Sequence, residues 1–234
     1  MGPVERTGPP AALLRFARLD STQDFLKRHP ELGFCGVLAE RQEAGRGRWG
    51  NRWEGAGRGF CFSARIPDPG LPPGLLLQRA MSRVARALDP GGEVLGLKWP
   101  NDLVAHRAGT LVKVGGLLGE SGAGLVTLGL GLNLEHAPTL PERAFPAASL
   151  ADLGLPLPDP TVLALELLAA WGRLEDGAEG PNLRWPPQGE AVRWEGGQGV
   201  VLGWEEDGRL RLVSAAGILR LAAGEVQALA PRGT

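Results

Sequence analysis

Short apolar runs broken by turn residues dominate this chain, and they predict more strands than helices. Three strand-like runs occupy the first part, at 13–19, 34–40 and 59–66. Asp20 and Ser21 follow the first run and are typical helix N-caps, which predicts a short helix ending before Pro30. A long connection rich in glycine and arginine separates the second and third runs. Loops of that length inside a compact domain are usually functional or disordered.

Two longer segments, 75–88 and 161–174, have apolar residues at helical spacing. The second follows Asp159 and Pro160, a favourable helix start. Four further apolar runs rich in valine and leucine lie between the two helices and indicate strands: 93–99, 102–106, 111–120 and 125–134. The order of these elements predicts an α+β domain.

The chain changes character at the proline-rich segment 184–189, which we interpret as a hinge. Four runs of four or five residues follow, separated by turns that contain glycine. About 45 residues of this kind make a small β-barrel. The sequence therefore predicts a larger α+β domain over residues 1–185 and a small all-β domain over residues 186–234.

Composition narrows the classes of function. The 234 residues carry a formal net charge of −1, so bulk electrostatics do not favour polyanion binding. Cys35 and Cys61 lie in apolar strand-like runs, which is typical of buried, reduced thiols. Residues 1–10 do not resemble a signal peptide, and no apolar run approaches the roughly 20 residues of a membrane helix. We therefore expect a cytoplasmic protein that does not bind membranes.

The stretch GRGRWGNRW at 45–53 alternates glycine with Arg46, Arg48 and Arg52. Glycine lets a backbone approach a ligand closely, and arginine binds phosphate or carboxylate through paired hydrogen bonds. Taken alone, the stretch has three interpretations: a solvated loop, an RNA-binding segment, or a loop that binds a nucleotide phosphate. An RNA-binding module needs aromatic stacking platforms and a wide basic face, whereas glutamates interrupt the positive charge here.

Five motifs in a fixed order separate these interpretations. They are LDSTQ at 19–23, ERQEAGRGRWGNRW at 40–53, LKWPNDLV at 97–104, KVGGLLGE at 113–120 and GLGLNL at 129–134. Together they resemble the motifs of the biotin protein ligases, and the resemblance extends from about residue 13 to residue 230. Two positions depart from the pattern of that family. Gln23 stands where asparagine is usual, and Asn51 stands where the loop usually has a further arginine.

The resemblance implies a catalytic domain like that of class II aminoacyl-tRNA synthetases, with a mixed central sheet and flanking helices. A small SH3-like β-barrel is implied at the carboxy-terminal end. It also implies a reaction in which the biotin carboxylate attacks the α-phosphorus of ATP, giving biotinyl-5′-AMP. A specific lysine of a biotin carboxyl carrier protein then receives the biotin. Mg²⁺ is expected with ATP, because cations must offset the repulsion between carboxylate and polyphosphate. We expect no bound metal cluster, since the three histidines are scattered.

Site residues follow from the resemblance, motif by motif. The catalytic cations implied are Lys113, Arg46 and Arg48. Biotin contacts are implied for Ser21, Thr22, Gln23, Gln42, Gly45, Arg46, Gly47, Arg48, Lys113, Gly115 and Gly116. Contacts to ATP or the adenylate are implied for Arg46, Arg48, Trp53, Asn101, Asp102, Lys113 and Asn133. Asp102 is also a candidate contact for Mg²⁺, and the loop 41–58 is expected to order over bound ligand.

Two other functions stay open beside a biotin ligase. A lipoate or octanoate ligase or transferase shares the fold, although the transferases use a cysteine nucleophile and the lipoate ligases an R-R-x-S-G-G-G-like segment. A non-catalytic RNA-binding module is the other alternative. Only about 12 residues precede the first strand, so we expect no helix-turn-helix and no sequence-specific nucleic-acid binding. Edge strands can pair two copies, which leaves a homodimer open.

Overall fold

The computed structural model describes residues 12–47, 50, 52–53, 59–139, 145–175 and 184–229, which form two sheets and three α-helices. The larger sheet contains β1 Ala12–Leu19, β2 Cys35–Gln42, β3 Gly59–Pro67, β4 Leu95–Lys98, β5 Asp102–Arg107, β6 Thr110–Gly122, β7 Leu125–Asn133 and β8 Arg184–Trp185. The smaller sheet contains β9 Ala191–Trp194, β10 Gly197–Trp204, β11 Leu210–Ser214, β12 Gly217–Leu221 and β13 Gln227–Ala228. The helices are α1 Thr22–Arg28, α2 Pro73–Leu88 and α3 Pro160–Trp171.

The larger sheet has the strand order β1-β2-β3-β7-β6-β5-β4-β8. The β1–β2 and β4–β8 pairs are parallel and the other pairs are antiparallel, so the predicted mixed sheet is confirmed. One detail of the sequence analysis was wrong. Arg184 and Trp185, the first residues of the supposed hinge, form β8 and pair with Leu97 and Lys98.

The two faces of this sheet have different cover. Helices α2 and α3 pack on one face, where Met81 and Val84 of α2 are fully buried. Helix α1 packs on the other face, with Leu26 against Cys35 and Val37 of β2. The alternation of a strand explains this division, because successive side chains point to opposite faces. The large core under α2 and α3 leaves the α1 face free for polar groups.

The smaller sheet is antiparallel with the order β12-β11-β10-β9-β13. The expected SH3-like barrel is therefore an open sheet in the described residues, because its outer strands β12 and β13 do not pair. Trp99, in the turn after β4, belongs to the apolar cluster of the smaller sheet and donates a hydrogen bond from Nε1 to the Gly208 carbonyl at 3.0 Å. The proposed domain division at residue 185 stays a prediction. No helix within the described ranges is long and apolar enough to span a bilayer.

Candidate active site

One cavity opens on the α1 face of the larger sheet and brings together most of the residues predicted from the motifs. Those that line it are Ser21, Thr22, Gln23, Gln42, Arg46, Gly47, Trp53, Asn101, Asp102, Lys113, Gly116 and Asn133. Within the described part of the chain, Gly45 and Gly115 do not line it. Arg48, Asn51 and much of the loop 41–58 lie outside the described residues.

The floor of the cavity comes from the alternation of leucine and glycine along β7. Leu128, Leu130 and Leu132 of this strand are buried in the core under α2 and α3, whereas Gly129 and Gly131 face the cavity. A Cβ atom on Gly129 would lie 2.4 Å from Gln23 Oε1, and one on Gly131 would lie 2.3 Å from Trp53 Cε2. Real Cβ contacts are longer, so only glycine at these positions lets the two side chains lie on the sheet.

Helix α1 carries polar residues to one end of the cavity, and polar contacts fix the helix at both ends. Ser21 Oγ accepts a hydrogen bond from the Asp24 amide at 3.3 Å and caps the amino-terminal end. Arg28 donates to both carboxylate oxygens of Asp20, at 2.7 and 2.9 Å. These bonds, with one from the Ser21 amide, hold the pKa of Asp20 below its usual value. Arg65, buried beneath the helix, donates to three backbone carbonyls at its other end.

We call Ser21, Thr22, Gln23, Gln42 and Ser63 the neutral end of the cavity. Gln42 Oε1 accepts from the Thr22 amide at 2.7 Å and from Thr22 Oγ1 at 3.0 Å. The Thr22 and Ser63 hydroxyls are 2.7 Å apart, and Ser63 Oγ lies 3.3 Å from Gln23 Oε1. Two hydroxyl hydrogens cannot serve all three hydroxyl contacts at once. One acceptor of this group is therefore available to an N–H donor of a ligand.

Gln23 shows what the departure from asparagine does. Its side chain is 3% exposed, and Nε2 donates to Glu120 Oε2 at 2.8 Å and to the Thr127 carbonyl at 3.3 Å. The extra methylene carries the amide across Gly129 to these partners on β6 and β7. The Gln23 amide thus links α1 to the sheet through hydrogen bonds and also lines the cavity.

We call Lys98, Asp102 and Lys113 the lysine end of the cavity. Lys113 Nζ lies 2.7 Å from Asp102 Oδ1, and Lys98 Nζ lies 3.8 Å from Asp102 Oδ2. Lys98 is 3% exposed, and its ammonium group lies 4.9 Å from the ring centre of Phe145 and 5.3 Å from that of Trp185. Two ammonium groups lie beside the Asp102 carboxylate here, and cations of this kind can bind an anionic ligand.

The backbone of Lys113 is held on both sides. It pairs with Val104 across β5, next to a register shift in that strand. On the other side its amide donates to the Pro146 carbonyl at 2.8 Å, and its carbonyl accepts from the Ala148 amide at 2.9 Å. A cation on such a fixed backbone is preorganised, which is the condition for strong electrostatic stabilisation of a reacting group.

The two predicted asparagines differ in their partners. Asn101 Nδ2 donates to the Leu117 carbonyl at 2.6 Å, and the Asn101 carbonyl accepts from the Leu117 amide at 3.0 Å. Asn101 therefore fixes the turn between β4 and β5 on β6. Asn133 is 2% exposed and donates from Nδ2 to the Ala148 carbonyl, but its Oδ1 has no partner among the described residues. A buried acceptor without a partner costs about 1–3 kcal/mol, which makes Oδ1 a candidate ligand contact.

The described part of the Gly/Arg stretch folds back as a narrow hairpin. The Trp53 amide donates to the Gly45 carbonyl at 2.9 Å, and Arg46 pairs with Arg52 in an antiparallel bridge. The indole of Trp53 lies against Gly131 of β7. The hairpin therefore forms one wall of the cavity.

Both the sequence and the fold match known proteins. Residues 16–133, half of the chain, match the model of the Biotin/lipoate A/B protein ligase family. The chain belongs to this family. A biotin–[acetyl-CoA-carboxylase] ligase of Mycobacterium tuberculosis is 39% identical over 141 residues, which are 56% of this chain and 50% of that protein. The corresponding ligase of Paracoccus denitrificans is 36% identical over 138 residues, which are 52% of this chain and 54% of that protein.

The chain spans about half the length of these curated relatives. Among solved structures, the biotin protein ligase of Aquifex aeolicus in complex with biotin and ATP aligns with a TM-score of 0.72 and 25% identity. The alignment covers 93% of this chain and 98% of that chain. The α+β fold expected from the resemblance is therefore confirmed.

This member of the ligase family also has site residues that the sequence analysis did not single out: Ser63, Lys98 and Phe145. Ser63 had a signal, because it is a polar residue inside the apolar run FCFSARI. Lys98 had one too, because it is one of three lysines and belongs to the motif LKWPNDLV. Phe145 had none, since the segment that carries it has no motif.

Two glycines of the ligase motifs shape the site from behind. A Cβ atom on Gly115 would lie 2.5 Å from Leu132 Cδ2, so Gly115 allows β6 to approach β7. A Cβ atom on Gly45 would lie 2.6 Å from the Trp53 carbonyl oxygen and 3.0 Å from Gln42 Nε2. Gly45 thus allows the hairpin to close next to Gln42. Their predicted contacts with biotin stay predictions.

Proposed function

We propose that this protein is an ATP-dependent biotin protein ligase. It forms biotinyl-5′-AMP and pyrophosphate from biotin and ATP, and then transfers biotin to a specific lysine of a biotin carboxyl carrier protein. The observation that supports this best is the union of the neutral end and the lysine end in one cavity. Biotin has the same polarity, with an uncharged ureido ring at one end and a carboxylate at the other.

The neutral end suits the ureido ring. That ring has one carbonyl acceptor and two N–H donors, and each would cost about 1–3 kcal/mol if it were buried without a partner. Thr22 and Ser63 offer hydroxyl groups, and Gln42 and Gln23 offer amides within the same hydrogen-bonded group. Because the hydroxyls can rotate, the group can both donate to the carbonyl and accept from an N–H.

The lysine end suits the adenylation step. An oxygen of the biotin carboxylate attacks the α-phosphorus, an O–P bond forms, and the bond to pyrophosphate breaks. Lys113 stabilises the negative charge on the α-phosphate, and Asp102 holds its ammonium group in place at 2.7 Å. Mg²⁺ enters with ATP, and among the described residues no cluster of three or more His, Cys, Asp or Glu is placed to hold a resident metal.

The nucleotide extends from the lysine end along the cavity. Asn133 offers a buried carbonyl oxygen without a partner in the described part of the chain, which suits a hydroxyl or amino donor. Lys98 offers a second cation for the phosphates, and Asp102 bridges it to Lys113. Trp53 covers the neighbouring part of β7 with an aromatic wall.

The second step transfers biotin to a protein. A carrier lysine amine attacks the carbonyl carbon of the mixed anhydride, a C–N bond forms, and AMP leaves with the electrons of the broken C–O bond. The relatives from Mycobacterium tuberculosis and Paracoccus denitrificans are named biotin–[acetyl-CoA-carboxylase] ligases. That similarity motivates a carboxylase carrier domain as the acceptor.

The cysteines argue against an octanoyl transferase. Such an enzyme needs an accessible thiolate, but Cys35 and Cys61 are 3% and 5% exposed and do not line the cavity. Burial raises the pKa of Cys61 to about 11 and also raises the pKa of Cys35. Neither thiol has the low pKa and exposure of a nucleophile.

Mass spectrometry of a carrier domain tests the proposal. The domain is incubated with the protein, ATP and Mg²⁺, and with either biotin or lipoate. A mass increase of one biotinyl group on the acceptor lysine supports the proposal, and a carrier whose acceptor lysine is replaced by arginine is the control. A lipoyl adduct without a biotinyl adduct would show that the alternative is right.

A further inference from the structure

Four charged side chains form a cluster beside α1, at the rim of the neutral end: Asp24, Lys27, Arg46 and Glu120. Arg46 Nη1 donates to Asp24 Oδ1 at 2.8 Å, and Arg46 Nη2 lies 3.5 Å from Glu120 Oε1. Lys27 Nζ donates to the same Glu120 oxygen at 2.8 Å. The side chains of Asp24, Arg46 and Glu120 are only 30–37% exposed, so solvent screens these ion pairs incompletely.

In this arrangement the ion-pair partners of Arg46 lie outside the lysine end. Its partner Glu120 and the catalytic candidate Lys113 both lie on β6, seven residues apart. The Lys113 side chain extends along β6, since a Cβ atom on Gly116 would lie 3.4 Å from its Nζ, which leaves about four residues or roughly 13 Å of strand before Glu120. To contact a phosphate bound at Lys113, the guanidinium of Arg46 would therefore have to leave both carboxylates.

The backbone of Arg46 belongs to the hairpin that borders the neutral end, so contacts of its side chain affect the position of that hairpin. Arg46 bridges to Arg52, and the neighbouring Trp53 amide donates to the Gly45 carbonyl at 2.9 Å. The same hairpin presses Trp53 on Gly131 and approaches Gln42 through Gly45. Fixing the side chain of Arg46 to α1 and β6 therefore fixes the wall that borders the neutral end.

We infer that Arg46 is a positioning residue. Its side chain binds Asp24 of α1 and Glu120 of β6, and we call these two contacts the clasp. The clasp holds residues 45–46 and 52–53, which we call the loop base, against the neutral end. In this role it strengthens biotin binding and leaves the charge of the α-phosphate to Lys113. The inference revises the role expected for Arg46 from the motif, that of a catalytic cation. It rests on the proposed function only for the identity of the ligand.

A double-mutant cycle tests the clasp through biotin affinity. Biotin Kd is measured by calorimetry for wild type, Arg46→Ala, Asp24→Asn and the double variant, with biotin-dependent pyrophosphate release at saturating biotin and ATP. Arg46→Ala should raise the Kd roughly tenfold and Asp24→Asn by less, because Arg46 keeps Glu120 in the second variant. The double variant should bind no more weakly than Arg46→Ala, which already lacks the contact with Asp24. The maximal rate should stay within about threefold of wild type, since a positioning residue for biotin affects KM more than kcat.

Two further variants separate the clasp from a general loss of structure. Arg46→Lys keeps one cation for Asp24 and should recover part of the affinity. Glu31→Gln removes a carboxylate that pairs with His29 at the far end of α1, away from Arg46, and should bind biotin like wild type. If Arg46→Ala lowers the maximal rate a hundredfold while Asp24→Asn behaves like wild type, Arg46 is a catalytic cation and the clasp is wrong.

Hydrogen exchange gives a readout that needs no ligand. The Trp53 amide is bonded to the Gly45 carbonyl, so its exchange reports whether the loop base is closed. Arg46→Ala and Asp24→Asn should both accelerate this exchange, with unchanged protection of α2 as the reference. Unchanged exchange at Trp53 in both variants would contradict the clasp. A wild-type protein that does not bind biotin would instead contradict the proposed function, and the exchange data would still decide the clasp.

Discussion

The two ends of the cavity solve different problems with different chemistry. At the neutral end, Thr22, Ser63 and Gln42 bond to one another through hydroxyl and amide groups. At the lysine end, Lys98 and Lys113 share the carboxylate of Asp102. The neutral end can recognise an uncharged ring by hydrogen bonds, whereas the lysine end can offset negative charge that develops during a reaction. Under the proposed function, the neutral end recognises biotin and the lysine end supports the reaction.

Both ends of the cavity place polar or charged side chains in a partly buried site, which costs free energy unless those side chains have partners. Buried polar groups need partners, and buried charges need partners even more. The groups of the neutral end hydrogen-bond to one another and leave one acceptor for a ligand, and the hydroxyls can rotate toward ligand contacts. The lysine end keeps its ammonium groups beside Asp102 and the rings of Phe145 and Trp185, so the cations stay paired before an anion arrives.

The largest expected effect is at the lysine end. Lys113→Met removes the preorganised cation and should slow pyrophosphate release in a single turnover about a hundredfold or more, corresponding to roughly 3 kcal/mol of transition-state stabilisation. Added biotin should not restore the rate, because binding is not what is lost. Arg107→Met is the matched control, since it removes a β5 cation that pairs with Asp152 at the surface. A normal rate of pyrophosphate release in Lys113→Met would show that Lys113 does not stabilise the adenylation step.

The next effect concerns the wall between the two ends. Gly131→Ala places a Cβ atom 2.3 Å from Trp53 Cε2, so the indole must move. Overpacking of this kind should lower the free energy of unfolding by about 1–3 kcal/mol, and the displaced wall should raise KM for both biotin and ATP. Gly122→Ala on β6 is the control, because no atom lies within 4 Å of the added methyl group. Urea unfolding and tryptophan fluorescence report the two changes, and equal stability of both variants would contradict this packing.

A smaller effect is expected at the neutral end. Thr22→Val keeps the shape of the side chain but removes the hydroxyl that lies 3.0 Å from Gln42 Oε1. Biotin Kd should rise roughly tenfold, which corresponds to about one lost hydrogen bond, while the maximal rate at saturating biotin should change little. Thr110→Val at the exposed start of β6 is the control. A loss of maximal rate comparable to that of Lys113→Met would mean that the two ends do not divide their roles.

The sequence predicted much of this arrangement because its signals are local. The period of two in GLGLNL indicates a strand with a leucine face and a glycine face, and the structure uses these faces as core and cavity floor. The motif residues Ser21, Thr22, Gln42 and Lys113 all line one cavity, as expected. The helices and nearly all strands follow from apolar spacing for the same reason.

What the sequence did not reveal depends on contacts between distant segments. Arg46 and Glu120 belong to two different motifs that are far apart in the sequence, so neither motif alone indicates their ion pair. Phe145 reaches Lys98 only because the segment before Ala148 runs beside Lys113. The open edge of the smaller sheet likewise depends on pairing, which short strands of similar composition do not specify.

The smallest expected effect lies at the rim of the neutral end and depends on pH. Burial raises the pKa of Glu120, but hydrogen bonds from Lys27 and Gln23 and the charge of Arg46 outweigh burial, so the net shift is downward. A carboxylate whose pKa is lower in the folded state stabilises the fold above its unfolded pKa of about 4.3 and loses this contribution as the pH falls through the folded value. Glu120→Gln should therefore be less stable than wild type at pH 7 by less than about 1 kcal/mol, because the pairs are partly exposed. The difference should shrink as the medium becomes more acidic than the unfolded pKa. Urea unfolding of both proteins at neutral and acidic pH measures it, and a difference that grows on acidification would show that Glu120 does not hold this rim as a carboxylate.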